Sequence, residues 1–195
     1  LVQAINGQPQ MIVSGAFHSA AFDPATGKEL WWFPYTGFSI VGRPSYGNGL
    51  FYIVGSIRQD HFCIYAVKPG QGKLKESQRV WQFSTGIGHV PSPLLLGKEI
   101  YAVHDGGVAG CLDALTGKEL WRERLGGNHD ASPTEINGKL YFVNREGKTT
   151  VLVAGRKFKV LAQNELDGVF KATPAVADGG LFLRSATHLY RIQQR

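Results

Sequence analysis

One stretch of the chain occurs twice. Ala21-Phe22-Asp23-Pro24-Ala25-Thr26-Gly27-Lys28-Glu29-Leu30-Trp31 returns as Cys111-Leu112-Asp113-Ala114-Leu115-Thr116-Gly117-Lys118-Glu119-Leu120-Trp121, 90 residues later. The offset reads as two units of about 45 residues, the length of a repeat rather than of a domain. Each copy spells a hairpin. An apolar run enters, and the Asp side chain can accept from backbone N–H groups just beyond it. Gly supplies the positive φ of a tight turn. The Trp then lies on the returning strand. Turn chemistry in the middle and β-formers on both sides exclude a helix here.

A second marker sets the register. A Pro precedes an aromatic by eight residues at Pro44 and Tyr52, Pro93 and Tyr101, Pro133 and Tyr141, and Pro174 and Phe182. Between them lie Asn48-Gly49, Gly97-Lys98, Asn137-Gly138 and Asp178-Gly179, dipeptides suited to hairpin turns. Pro fits the start of a strand, where its missing N–H costs little. Each unit therefore reads as strands A, B, C and D, with the Trp on D. The expected units are 1–36, 37–85, 86–125, 126–166 and 167–195. Lys68 to Gln78 reads as a long turn inside the second. The fourth has lost the Asp-Thr-Gly turn, and Leu161 is expected where Trp stood. The fifth ends after strand C.

These features predict an all-β fold, a partial β-propeller of four-stranded antiparallel blades, about four full blades plus three strands of a fifth. No stretch has the 3.6-residue periodicity of a helix.

The A-x-D-x-x-T-G-x-x-x-W pattern resembles the repeat of the PQQ-like β-propellers, which include quinoprotein alcohol dehydrogenases and BamB-type outer-membrane assembly lipoproteins. The whole chain is similar to that superfamily, and its tail, Gly180 to Ile192, is similar to the end of secreted bacterial members. The resemblance implies the C-terminal half of a larger propeller and a periplasmic or secreted location. It implies that Trp31, Trp81 and Trp121 dock neighbouring blades. PQQ enters only through this resemblance. Quinoprotein members carry adjacent cysteines beside the cofactor and acidic and amide ligands for calcium; this chain has no Cys-Cys pair.

The formal charge is +6, but Lys and Arg are scattered, which reads as solvated turns and against nucleic-acid binding. No apolar run reaches the length of a membrane-spanning helix. Residue 1 is Leu and no signal peptide precedes it, so the chain is expected to start after processing or to be a fragment. Cys63 and Cys111, on strand C of adjacent blades, are expected as buried free thiols and not as a disulfide.

No nucleophile motif, zinc-protease motif or phosphate loop occurs. The six histidines fall on one side of the predicted ring. His89 and His129 each lie four residues before their Pro, in D-to-A connections, and His18, His61, His104 and His188 lie in or beside B-to-C connections. Arg43, Asp130 and Lys171 share the same inner approach. Arg43, His89, His129, Asp130 and Lys171 are the ligand or partner candidates of this face, with no metal, cofactor or catalytic set assigned. The expected function is a non-catalytic propeller scaffold that binds a ligand or a protein. The alternative is a portion of a PQQ-dependent oxidoreductase whose site needs further blades. Partners expected for such an open ring are the missing half of the propeller or a second copy, through exposed end blades.

Overall fold

The computed structural model describes residues 1–58 and 61–193. The first sheet comprises β1 (Val2–Ile5), β2 (Gln8–Ser14), β3 (His18–Phe22) and β4 (Glu29–Pro34). The second begins with β5 (Ser45–Gly47), β6 (Leu50–Arg58) and β7 (His61–Val67). The chain then leaves it. β8 (Gly72–Lys73) pairs in parallel with β4, Trp31 opposite Gly72, as a fifth strand of the first sheet. A single 3-10 turn, Glu76–Gln78, leads back to β9 (Arg79–Phe83), which completes the second sheet against β7. The long turn expected at 68–78 is thus a clasp between two blades.

The third sheet is β10 (Leu94–Leu96), β11 (Glu99–Val103), β12 (Val108–Asp113) and β13 (Glu119–Arg124). The fourth is β14 (Thr134–Ile136), β15 (Lys139–Val143), β16 (Lys148–Val153) and β17 (Val160–Glu165). The fifth has three strands, β18 (Ala175–Ala177), β19 (Gly180–Arg184) and β20 (Leu189–Ile192). Apart from the β4–β8 pair, neighbouring strands run antiparallel. Among the described residues there is no α-helix, and no strand of the first sheet pairs with the last.

The turns form as their residues dictate. Asp23 Oδ1 accepts from the N–H groups of Ala25 and Thr26 at 2.8 and 3.1 Å, and Asp113 Oδ1 does the same for Leu115 and Thr116. Asn48 and Gly49 both take positive φ, 55° and 75°, which suits a two-residue hairpin. Where strand C meets strand D, a bulge recurs in the first four blades, between Ala21/Phe22, Ala66/Val67, Cys111/Leu112 and Val151/Leu152. The bulge places two residues opposite one. It leaves Leu30, Val80, Leu120 and Leu161 unpaired in their ladders.

That register corrects one expectation. Ala21 opposes Trp31, Ala66 opposes Trp81, Cys111 opposes Trp121, and Val151 opposes Ala162. Ala162, not Leu161, holds the tryptophan position of the fourth blade. Leu161 is the bulge residue, and it is 45% exposed.

The core lies between blades. Trp31 packs at 4.9 Å on Phe51 of the next blade. Trp81 joins Tyr52 and Ala66 against Ile100 and Leu112, and Trp121 joins Tyr101 and Cys111 against Leu140 and Leu152. Burying an indole removes roughly 200 Å² from water, worth several kcal/mol at about 25 cal/mol per Å². The indole N–H groups are satisfied in place. That of Trp81 donates to the Ala114 carbonyl at 2.9 Å, and that of Trp121 to the Gly155 carbonyl at 3.2 Å. Trp31 differs, donating within its own blade to Gln10 Oε1 at 2.8 Å. The repeated glycine has a packing reason as well as a turn reason. A Cβ on Gly117 would lie 2.6 Å from the Trp81 ring.

Candidate functional site

In a four-stranded antiparallel blade the B–C and D–A connections emerge on the same side. The A–B and Asp-Thr-Gly turns fill the opposite side with stereotyped chemistry. The variable side is therefore where this chain can carry function.

Its inner rim is built from the residue before each proline. The Arg43 N–H donates to Ser92 Oγ at 3.0 Å, the Ser92 N–H to Ser132 Oγ at 2.9 Å, and the Ser132 N–H to Thr173 Oγ1 at 3.0 Å. Each blade hands one backbone donor to the next blade's hydroxyl. The ladder ties blades two to five together beside the axis.

Outside that ladder three carboxylates of this side are committed. Asp105 accepts from the His89 and Val90 N–H groups at 2.7 and 3.1 Å. Asp130 takes a two-point contact from Arg145, at 2.9 and 2.6 Å. Glu146 accepts from the Asn128 N–H at 3.1 Å. Arg43, Lys171 and Arg184 are exposed and, among the described residues, form no ion pair.

The five candidates do not converge, and no hydrogen bond joins any two of them. His89 is half-buried, stacked on Phe62 at 4.7 Å, with Nε2 near Ser39 Oγ and the Ser39 carbonyl at 3.0 and 2.9 Å. His129 is 1% exposed, and its ring is turned into the joint between blades three and four. Its Nε2 lies 3.2 Å from the Gly126 carbonyl, and its Nδ1 has no hydrogen-bond partner. Burial holds its pKa below the ordinary histidine value, against the opposing pull of the Gly126 carbonyl and Glu146. Phe170 occupies the same place one blade on. Its N–H donates to the Arg145 carbonyl as that of His129 donates to the Asp105 carbonyl. His129 thus fills a core position. Asp130 serves Arg145. Lys171 lines a separate cleft of about 460 Å³ with Val169 and Arg184.

What the face presents instead is apolar. Phe17 is 60% exposed, Phe38 58%, Val41 57%, Ile57 37% and Val90 36%. Hydrogen bonds stitch their loops together. The Phe17 N–H donates to the Gly37 carbonyl, the Thr36 N–H to the Ser56 carbonyl, and His89 reaches Ser39. Phe17 sits at φ 66°, the left-handed region that a bulky side chain avoids. The sequence carries a signal for this strained turn only in the Gly15-Ala16-Phe17 crossing, and for the ladder in the repeated hydroxyl-Pro pairs.

No group of three His, Cys, Asp or Glu side chains is placed to hold a metal ion among the described residues. Cys63 and Cys111 are free and buried, in different joints. Burial pushes their thiols up to about 11 and about 12. Among the described residues no helix is long and apolar enough to cross a membrane.

A family model described as outer membrane protein assembly factor BamB matches residues 18–168 and 110–194. No curated protein matches the sequence. BamB from Moraxella catarrhalis superposes with a TM-score of 0.50 at 12% identity, over 92% of this chain and 68% of that one. A quinohemoprotein alcohol dehydrogenase from Pseudomonas putida HK5 superposes with a TM-score of 0.58 at 14% identity, over 74% of this chain and 28% of that one. The computationally designed Ika8 protein reaches 0.73 at 11% identity, over 98% of this chain and 57% of that one. These likenesses establish the propeller fold. The chain spans about two thirds of the BamB structure and about a quarter of the dehydrogenase.

Proposed function

We propose that this chain, which belongs to the outer membrane protein assembly factor BamB family, is a non-catalytic propeller scaffold that binds protein on its B–C and D–A face. We place it outside the cytoplasm, by family. The observation that carries the reading is Phe17, a phenylalanine held at φ 66° with its ring 60% exposed. Left-handed backbone at a bulky residue costs roughly 1–2 kcal/mol. Folding gains nothing from a ring turned to water. A strained, exposed aromatic beside four further exposed apolar side chains is what a docking surface requires.

The charge around it selects the partner. Asp105, Asp130 and Glu146 are spent on N–H groups or on Arg145, while Arg43, two residues from Val41, is exposed and, among the described residues, forms no ion pair. An apolar segment flanked by acidic residues fits this arrangement. The second reading, a portion of a PQQ-dependent oxidoreductase, rests on the similarity to the dehydrogenases alone.

The test is a chemical-shift titration of the isotope-labelled protein with a blocked peptide of alternating leucine and aspartate. Shifts centred on Phe17, Phe38, Val41 and Val90, diminishing with added salt, are expected. Shifts confined to the Asp-Thr-Gly side would overturn the reading. So would bound quinone with dye-linked alcohol oxidation after soaking in PQQ and calcium.

A further inference from the structure

Three joints of this molecule close over an indole and the fourth does not. At the first three, Phe51 and Val67, Ile100 and Leu112, and Leu140 and Leu152 form the receiving wall. All six are at most 2% exposed. The corresponding pair in the fifth blade is Leu181 opposite Ile192. Here the facing row of the fourth blade is Tyr141, Val151 and Ala162. Ile192 is 47% exposed, and a groove of about 950 Å³ runs between the two blades along these residues.

The groove also has an open backbone edge. Every residue of β17 is exposed, and its outer side pairs with no strand among the described residues. The molecule already uses such an edge once, where β8 lies against β4 beside Trp31. The volume exceeds a single ring and suits an extended segment with one large side chain.

We propose that the joint between the fourth and fifth blades is a docking site for an extended segment of another protein, paired with β17, that inserts a tryptophan where this chain has Ala162. The occupant's chemistry is fixed by the other joints. An indole fills the same register at each, and two of the three donate their N–H across to the next blade. Strand addition supplies main-chain hydrogen bonds, and the pocket selects the side chain. This site is separate from the B–C and D–A face and does not depend on what binds there.

A blocked hexapeptide of threonine and valine with one central tryptophan is the probe, with an alanine analogue beside it. The tryptophan peptide is expected to shift amide resonances of Ala162 to Glu165 and of Leu181, with the alanine analogue at least about tenfold weaker. Ala162→Trp should raise the melting temperature and abolish peptide binding by filling the groove from within. Should that variant not fold, Ile192→Lys provides the second check. Its side chain is exposed, so it should fold normally and bind at least about tenfold more weakly. Equal binding of the two peptides, or full binding by Ile192→Lys, would overturn the proposal.

Discussion

The indole N–H of Trp121 donates across a blade boundary to the Gly155 carbonyl, 3.2 Å away, and the next N–H in that turn, of Gly155 itself, returns to the Tyr101 hydroxyl at 2.7 Å. One joint is locked in both directions by one row of side chains. Arg156 adds a clamp from the same turn to Glu99 and Asp113, at 3.1 and 2.8 Å. The Arg156 guanidinium holds the Asp113 carboxyl below its ordinary range.

Removing the tryptophans tests that packing. Trp31→Ala, Trp81→Ala and Trp121→Ala should each cost about 3–5 kcal/mol in urea melts, as large-to-small core changes do. Leu161→Ala, at an exposed bulge, should stay within about 0.5 kcal/mol. A large loss at Leu161 would contradict the register that puts Ala162 in the tryptophan row.

The two motif glycines separate turn strain from packing. Gly27 and Gly117 have φ of 71° and 70°, so alanine is strained by a similar amount at each. Only Gly117 has an indole against its missing Cβ. Gly117→Ala should therefore destabilise clearly more than Gly27→Ala, by thermal melts compared in parallel.

Acid should find His129. Its folded pKa lies below the unfolded value near 6.5, so the unfolded chain binds the proton first. Stability from this group is complete above pH 6.5 and is lost as pH falls from there toward the folded pKa. His129→Phe, copying Phe170 of the next blade, should flatten the stability profile over that window. An unchanged slope would mean that other groups set the acid limb.

The cysteines should behave as core residues. Both are buried, with thiols raised to about 11 and about 12, so alkylation at neutral pH should be slow in the folded protein. In denaturant without reductant, mass spectrometry should count two labels.

The fold was legible because its punctuation is local. Asp113, Thr116 and Gly117 make their turn with each other, and Trp121 follows at a fixed distance. Ala162 escapes a sequence reading because the fourth blade has no such turn: Val151 and Ala162 lie eleven residues apart, against ten for Ala21 and Trp31 and for Cys111 and Trp121. The site was less legible because its contacts are not local. His89 and His129 hold the same position relative to their prolines. One ring reaches Ser39 on another blade and the other turns into a joint, where the next blade has phenylalanine. The repeated hydroxyl-Pro pairs mark Ser92, Ser132 and Thr173, but the bonds that join them span 40 and 41 residues.

Phe17→Gly tests the central claim most directly, because it sets stability against binding. Glycine accepts φ 66° without strain, so the variant should melt at the same temperature as the parent or higher. Losing the ring should weaken the leucine–aspartate peptide at least about tenfold. A destabilised variant that still binds at full strength would contradict the account, since the ring would then serve the fold and not the face.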